Sequence, residues 1–172
     1  MSKPFIIWFL VCFVCYAMRT TYNILNFRNH PLAERRHVIT AVYIIMFVLW
    51  FSWAQMCFTD SARMKLPAGL KYAGLGLFIA GVFLFIFSHL KLKKFKEDTH
   101  LVKEGIYSKI RNPMYTGFII WIIGFPVFFD KRYAFLSSVL WITHILIWKH
   151  LEERTLEKKY PEYKAYKKAT WF

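Results

Sequence analysis

Between Leu101 and Tyr115 the chain reads LVKEGIYSKIRNPMY, placing Gly105, Tyr107, Arg111, Asn112, Pro113 and Tyr115 within eleven positions between two apolar segments. A second polar feature, the adjacent acids Glu152 and Glu153, follows the last apolar run. Neighbours on a helix point about 100° apart, so one of these acids can face the bundle while the other meets water or Lys149. Two readings of the acids stand side by side: a solvated helix start with lysine partners, or half of a binding site. The arginine, proline and tyrosine likewise suit a membrane-interface boundary, with arginine at the headgroups, proline opening a helix and tyrosine in the aromatic belt. Metal chemistry is not expected. His30 and His37, His89 and His100, and His144 and His150 lack the four-residue spacing that puts two ligands on one helical face. Ser137 and Ser138 have no base nearby, and serines in apolar helices bond their own backbone. No glycine-rich phosphate loop is present.

Whatever these residues do, apolar helices must position them. The 172 residues are 57% hydrophobic and 20% aromatic yet carry a net charge of +14, so apolar and basic blocks are segregated. A membrane crossing takes about 20 mostly apolar residues. The reading is an all-α, polytopic membrane helix bundle forming one domain over 1–172, with five spans near 4–25, 38–58, 70–90, 115–129 and 133–148. A charged helical tail follows, interrupted by Pro161. Lys3 before an apolar run resembles a signal peptide, but Arg19 closes the run without a small-residue cleavage site, so it reads as a retained span. Cys12, Cys15 and Cys57 lie in apolar runs and read as small packing residues. Gly69, Ala73, Gly76 and Ala80 line one face of the third span, where small residues let helices approach closely. Pro126 is expected to end or kink the fourth.

In a five-span arrangement eighteen basic residues fall on one side and six on the other. Basic residues are retained in the cytoplasm, which places the N-terminus outside and the C-terminus, linker and tail inside. The positive charge then reflects topology and attraction to anionic headgroups, not nucleic-acid binding.

Together, His100-Leu101-Val102, Gly105-Ile106-Tyr107, Arg111-Asn112-Pro113-Met114-Tyr115, Glu152-Glu153-Arg154 and Tyr163 resemble the isoprenylcysteine carboxyl methyltransferase and phospholipid methyltransferase superfamily, over about the last 75 residues. Two positions depart from its pattern: Thr99 stands where the family has histidine, with His100 one place later, and Asn112 replaces the histidine of Arg-His-Pro. The resemblance implies S-adenosylmethionine held between segments 99–115 and 148–166 under a C-terminal lid. Such a site needs an acid for the ammonium, donors for the carboxylate and apolar walls. Glu152, with Glu153 beside it, is assigned to the ammonium. Thr99, His100, Asn112 and the backbone of Leu101 and Val102 form the polar part, and Tyr107, Pro113, Met114 and Tyr115 form the walls. Arg111 orients the substrate.

The implied reaction is in-line methyl transfer, for which the protein supplies alignment and exclusion of water. A carboxylate acceptor needs no base. An amine or thiol does, and His100 is the nearby side chain suited to that. The acceptor is read as a lipid or lipidated amphiphile, such as an isoprenylcysteine carboxylate or a phospholipid amine, whose tail enters from the bilayer. Two alternatives remain at this point: a sterol-type reductase of the same fold using NADPH, with Lys103, Lys109 and Tyr107 in its site, and a non-enzymatic scaffold.

Overall fold

Each long apolar run becomes a helix in the computed structural model, which describes residues 2–95 and 101–172. Helix α1 covers Lys3–Phe27, α2 Arg36–Thr59, α3 Ala68–Phe95, α4 Pro113–Phe128, α5 Arg132–Lys159 and α6 Tyr163–Ala169. Short 3₁₀ turns occupy Pro31–Glu34 and Gly105–Ser108, and there is no strand among the described residues. Helices α1, α2, α3 and α5 are long and apolar enough to cross a membrane, whereas α4 has only 16 residues. At 1.5 Å per residue α4 is about 24 Å long, a little short of a hydrocarbon core of about 30 Å.

Boundaries follow local chemistry. The Ser2 hydroxyl accepts the Phe5 N–H at 3.3 Å and starts α1, with Pro4 in the first turn. The polar stretch after Trp148 does not begin a new element. It continues α5 without a break, because Leu, Glu, Lys and Arg are good helix formers and nothing interrupts them before Pro161. Pro126 sits in the last turn of α4, which ends two residues later. Having no N–H, it leaves the Ile122 carbonyl free, and the Ser138 hydroxyl of α5 donates to that oxygen at 3.1 Å.

Glycines decide how α3 meets α4, and the face differs from the expected one. A side chain at Gly69 or Gly76 would meet nothing within 4 Å. A Cβ on Gly81 would instead lie 2.7 Å from the Gly117 oxygen, and one on Gly124 2.7 Å from the Gly74 oxygen. The helices therefore touch backbone to backbone at two antiparallel levels, Gly74 with Gly124 and Gly81 with Gly117. Sequence spacing identified a small-residue face, but only the partner's position decides which one is used.

The other seam is aromatic. Tyr16 of α1 stacks between Trp141 and Trp148 of α5, with centroids 4.9 and 5.2 Å away. Cys12, Cys15 and Cys57 are buried and free, the packing role expected of them. At one end of the bundle Asp60, after α2, accepts the Tyr133 and Ala134 N–H groups at 2.7 and 2.9 Å and so caps α5 from a distant loop. Lys131 at the same end donates to the Asp60 carbonyl at 2.6 Å. The linker before α4 and the tail after α5 meet at the opposite end.

Candidate functional site

At that end, the glutamate pair is split as helical geometry requires. Glu153 is 4% exposed and faces the linker, while Glu152 is exposed. Arg111 Nε and Asn112 Nδ2 both donate to Glu153 Oε1, at 2.8 and 2.6 Å. Lys167 Nζ of α6 lies 3.1 Å from Oε2, and Lys149, one turn back on α5, lies 3.4 Å from Oε1. Lys149 thus pairs with the inward acid. Three cations and an amide surround a single carboxylate, which ties together the linker, α5 and the tail.

The tail reaches further along the linker. Arg111 N–H donates to the Trp171 oxygen at 2.9 Å and Trp171 N–H to the Lys109 oxygen at 2.8 Å, a short parallel bridge. The Arg111 guanidinium also donates to the Lys167 and Thr170 carbonyls at 3.1 and 3.0 Å, and Asn112 Nδ2 to the Phe172 oxygen at 2.9 Å. Lys149 Nζ sits 4.1 Å from the centre of the Phe172 ring. Tyr166 donates its hydroxyl to the Tyr107 carbonyl at 2.6 Å, and the Tyr107 hydroxyl donates to the Ser88 carbonyl at 3.3 Å. Gly105, which opens the 3₁₀ turn carrying Tyr107, has a φ of +62°, a conformation that suits glycine.

Burial raises the Tyr107 and Tyr163 phenols well above the ordinary range. It pushes Tyr166 up to about 12, opposed by the nearby Arg111 charge. Lys167 is raised chiefly by its hydrogen bond to Glu157, opposed next by burial and supported by its hydrogen bond to Glu153. Tyr107, Tyr166 and Lys167 thus remain protonated donors at neutral pH.

Beside the clamp, Glu152 accepts a hydrogen bond from the Tyr115 hydroxyl and lines a cleft of about 290 Å³ between α1 and α5. Trp148, Leu151 and Leu156 form its apolar surface, and Arg19 and Asn23 of α1 face them. Of the residues expected in the site, Arg111, Asn112 and Glu153 meet directly. Tyr115 and Glu152 meet at the cleft, and Tyr107 anchors the tail. Pro113 is buried as the first residue of α4, Met114 is half-buried, and Leu101 and Val102 lie half-buried in the linker. Thr99 and His100 lie outside the described residues. Among the described residues, no group of three potential metal ligands comes together.

Sequence reasoning missed Lys167, Thr170, Trp171 and Phe172 because nothing local relates them to the linker. It also missed Arg19 as a site residue, although a lone charge closing an apolar run was visible.

The linker, α4 and α5 lie in a segment similar to known proteins, whereas α1 and the tail beyond Tyr163 lie outside the family match. The family profile described as phospholipid methyltransferase matches residues 70–163, more than half of the chain. The protein-S-isoprenylcysteine O-methyltransferase of Schizosaccharomyces pombe is 36% identical over 75 residues, 43% of this chain and 30% of that protein. That of Saccharomyces cerevisiae is 39% identical over 75 residues, 43% of this chain and 29% of the yeast protein. The Arabidopsis thaliana protein-S-isoprenylcysteine O-methyltransferase B is 31% identical over 68 residues, 40% of this chain and 32% of the plant protein. The chain thus spans about a third of the length of these curated relatives. No solved structure matches it.

Proposed function

Because the chain belongs to the phospholipid methyltransferase family, we propose that it is a five-pass membrane protein that transfers a methyl group from S-adenosylmethionine to the polar head of an amphiphile. The fifth pass is α4, whose ends lie at Asn112 by the linker and at Asp130 beside the α2–α3 loop. Eighteen of twenty-four basic residues flank the linker-and-tail end, which supports a cytoplasmic site.

The observation that carries this reading is the split of the two acids. Glu153 is enclosed by Arg111, Lys149 and Lys167 and acts as a positioning residue. Glu152 faces the cleft with an aromatic and aliphatic wall beside it, the combination an ammonium-bearing cofactor needs. The donors of Asn112 are directed at Glu153 and the Phe172 oxygen, so its contribution is to hold the linker and tail together. When bound, S-adenosylmethionine supplies a methyl already activated by its sulfonium. The chain's residues align and desolvate. Tyr115 holds the Glu152 carboxylate, Trp148 and Leu151 form the wall, and the strap from Tyr163 to Phe172 covers the linker against water. The relatives' names specify O-methylation of an isoprenylcysteine, which favours a carboxylate acceptor on a lipid-modified cysteine. Such an acceptor needs no base, and His100 would serve only an amine or thiol. The family match gives no support to the reductase or scaffold alternatives.

Titration of the detergent-purified protein with S-adenosylhomocysteine and with NADPH, together with methyl-label transfer into a lipid and peptide extract, tests the proposal. The expected results are binding of the homocysteine compound alone and label transfer. In Glu152→Gln, that binding weakens about 10- to 100-fold through loss of a charge-assisted hydrogen bond. Binding of NADPH alone would sink the assignment.

A further inference from the structure

Helix α1 lies outside the segment matched by the family, yet it forms one wall of the cleft that Glu152 faces. Arg19, Tyr22, Asn23 and Asn26 all line that cleft, and their offsets of three, four and seven from Arg19 put them on one helical face. Arg19 follows fifteen uncharged residues, Pro4 to Met18. A cation at that depth is costly without a partner. Its guanidinium lies 5.2 Å from the Tyr22 ring centre and 5.7 Å from that of Trp148. The Trp148 ring is itself held by a 2.7 Å hydrogen bond from Nε1 to Thr20 Oγ1. Arg19 Nε is buried without a hydrogen-bond partner, and no carboxylate pairs with Arg19 among the described residues. A guanidinium stacked on aromatic faces with a buried, unsatisfied Nε–H suits a planar or tetrahedral oxyanion.

Resting on the methyl-transfer reading, we propose that the α1–α5 cleft recognises the head of the methyl acceptor and selects an anionic amphiphile. Arg19 takes the oxyanion, and the Asn23 and Asn26 amides extend the donor set toward the bundle end. Trp148 lies beneath the head, and the acceptor's apolar tail leaves the cleft for the bilayer, because below it the α1–α5 seam is closed by Tyr16, Trp141 and Trp148. Glu152, on the opposite wall, stays with the methyl donor. The residues for the donor lie in the part of the chain shared across the family, whereas α1 lies outside it, so α1 is where selection of the acceptor resides. A carboxylate on a lipid-modified amino acid and a phosphate on a lipid both present the required oxyanion.

The test measures binding to the full chain in detergent, followed by tryptophan fluorescence. One pair of probes is an S-farnesylated, N-acetylated cysteine with a free carboxylate and its carboxamide. The other is a phosphatidic acid and the matching diacylglycerol. We expect the charged member of at least one pair to bind about tenfold or more tightly than its neutral partner, and Arg19→Gln to remove that preference. S-adenosylhomocysteine should bind parent and variant alike. Preference in the first pair identifies a carboxylate head and preference in the second a phosphate head; either supports the proposal. Equal binding within both pairs on the unaltered protein overturns it. So does an Arg19→Gln variant that loses S-adenosylhomocysteine affinity but keeps the charge preference, since Arg19 would then belong to the donor. Failure of S-adenosylhomocysteine to bind the parent, with the preference intact, removes the methyltransferase reading and leaves the anion cleft standing.

Discussion

Replacing Glu153 with alanine removes the carboxylate on which linker, α5 and tail converge. Two of its hydrogen bonds are charge-assisted and close, from Arg111 Nε at 2.8 Å and Asn112 Nδ2 at 2.6 Å. Each such bond contributes about 1.5–3 kcal/mol. Arg111 keeps its bonds to the Lys167 and Thr170 carbonyls, which offsets part of the loss. Lys149 and Arg111, 16% and 9% exposed, are left without their anion. The share of Lys167, 39% exposed, is screened to below about 1 kcal/mol. Removing one partner of a buried pair costs about 3–5 kcal/mol, and the same range is expected here, expressed mainly as release of the tail. A loss of 3 kcal/mol multiplies the open population more than about a hundredfold. Trypsin cleavage after Lys164, Lys167 and Lys168 follows that population when reclosing is fast. Glu153→Gln keeps the volume and one acceptor and should fall between alanine and the parent. If Glu153→Ala were nicked within about threefold of the parent rate, with helix content unchanged, the clamp would not be what holds the tail.

Gly117→Val should destabilise the bundle by about 1–3 kcal/mol or more, because its Cβ would lie 2.7 Å from the Gly81 oxygen. Gly76→Ala on the open face should be neutral or slightly stabilising; thermal unfolding in detergent compares the two. Ser138→Ala should cost about 1–2 kcal/mol in the same assay by orphaning the Ile122 carbonyl that Pro126 leaves free. The Tyr166 phenol must stay protonated to donate to the Tyr107 carbonyl, and its raised pKa means that it binds its proton more tightly in the folded chain. Its contribution is therefore full below the ordinary phenol range near 10 and declines as pH rises toward about 12. In a tyrosinate absorbance titration, Tyr166→Phe should lose amplitude near pH 12 and not near pH 10, and a loss near 10 would contradict the burial of this phenol.

Much of the fold was legible because its causes are local. Uninterrupted apolar runs specify helices, Pro161 stops α5, and the cysteines in those runs are buried. Part of the site was legible for the same reason. Adjacent glutamates on a helix must point apart, and Arg111, Asn112 and Pro113 stand where a helix begins. What sequence could not supply were the partners. Gly69 and Gly76 match the small-residue spacing as well as Gly74 and Gly81 do, yet only the second pair meets α4. Nothing in Thr170, Trp171 and Phe172 foretells that they lie along Lys109 to Asn112, nor does Asp60 announce that it caps α5. The sequence by itself determined which segments are helical and which of their residues carry charge at the bundle end. Tertiary structure alone decided that Glu153 is spent on the clamp while Glu152 and Arg19 face an open cleft. That choice depends on contacts between residues tens to over a hundred positions apart, which periodicity within one helix does not encode.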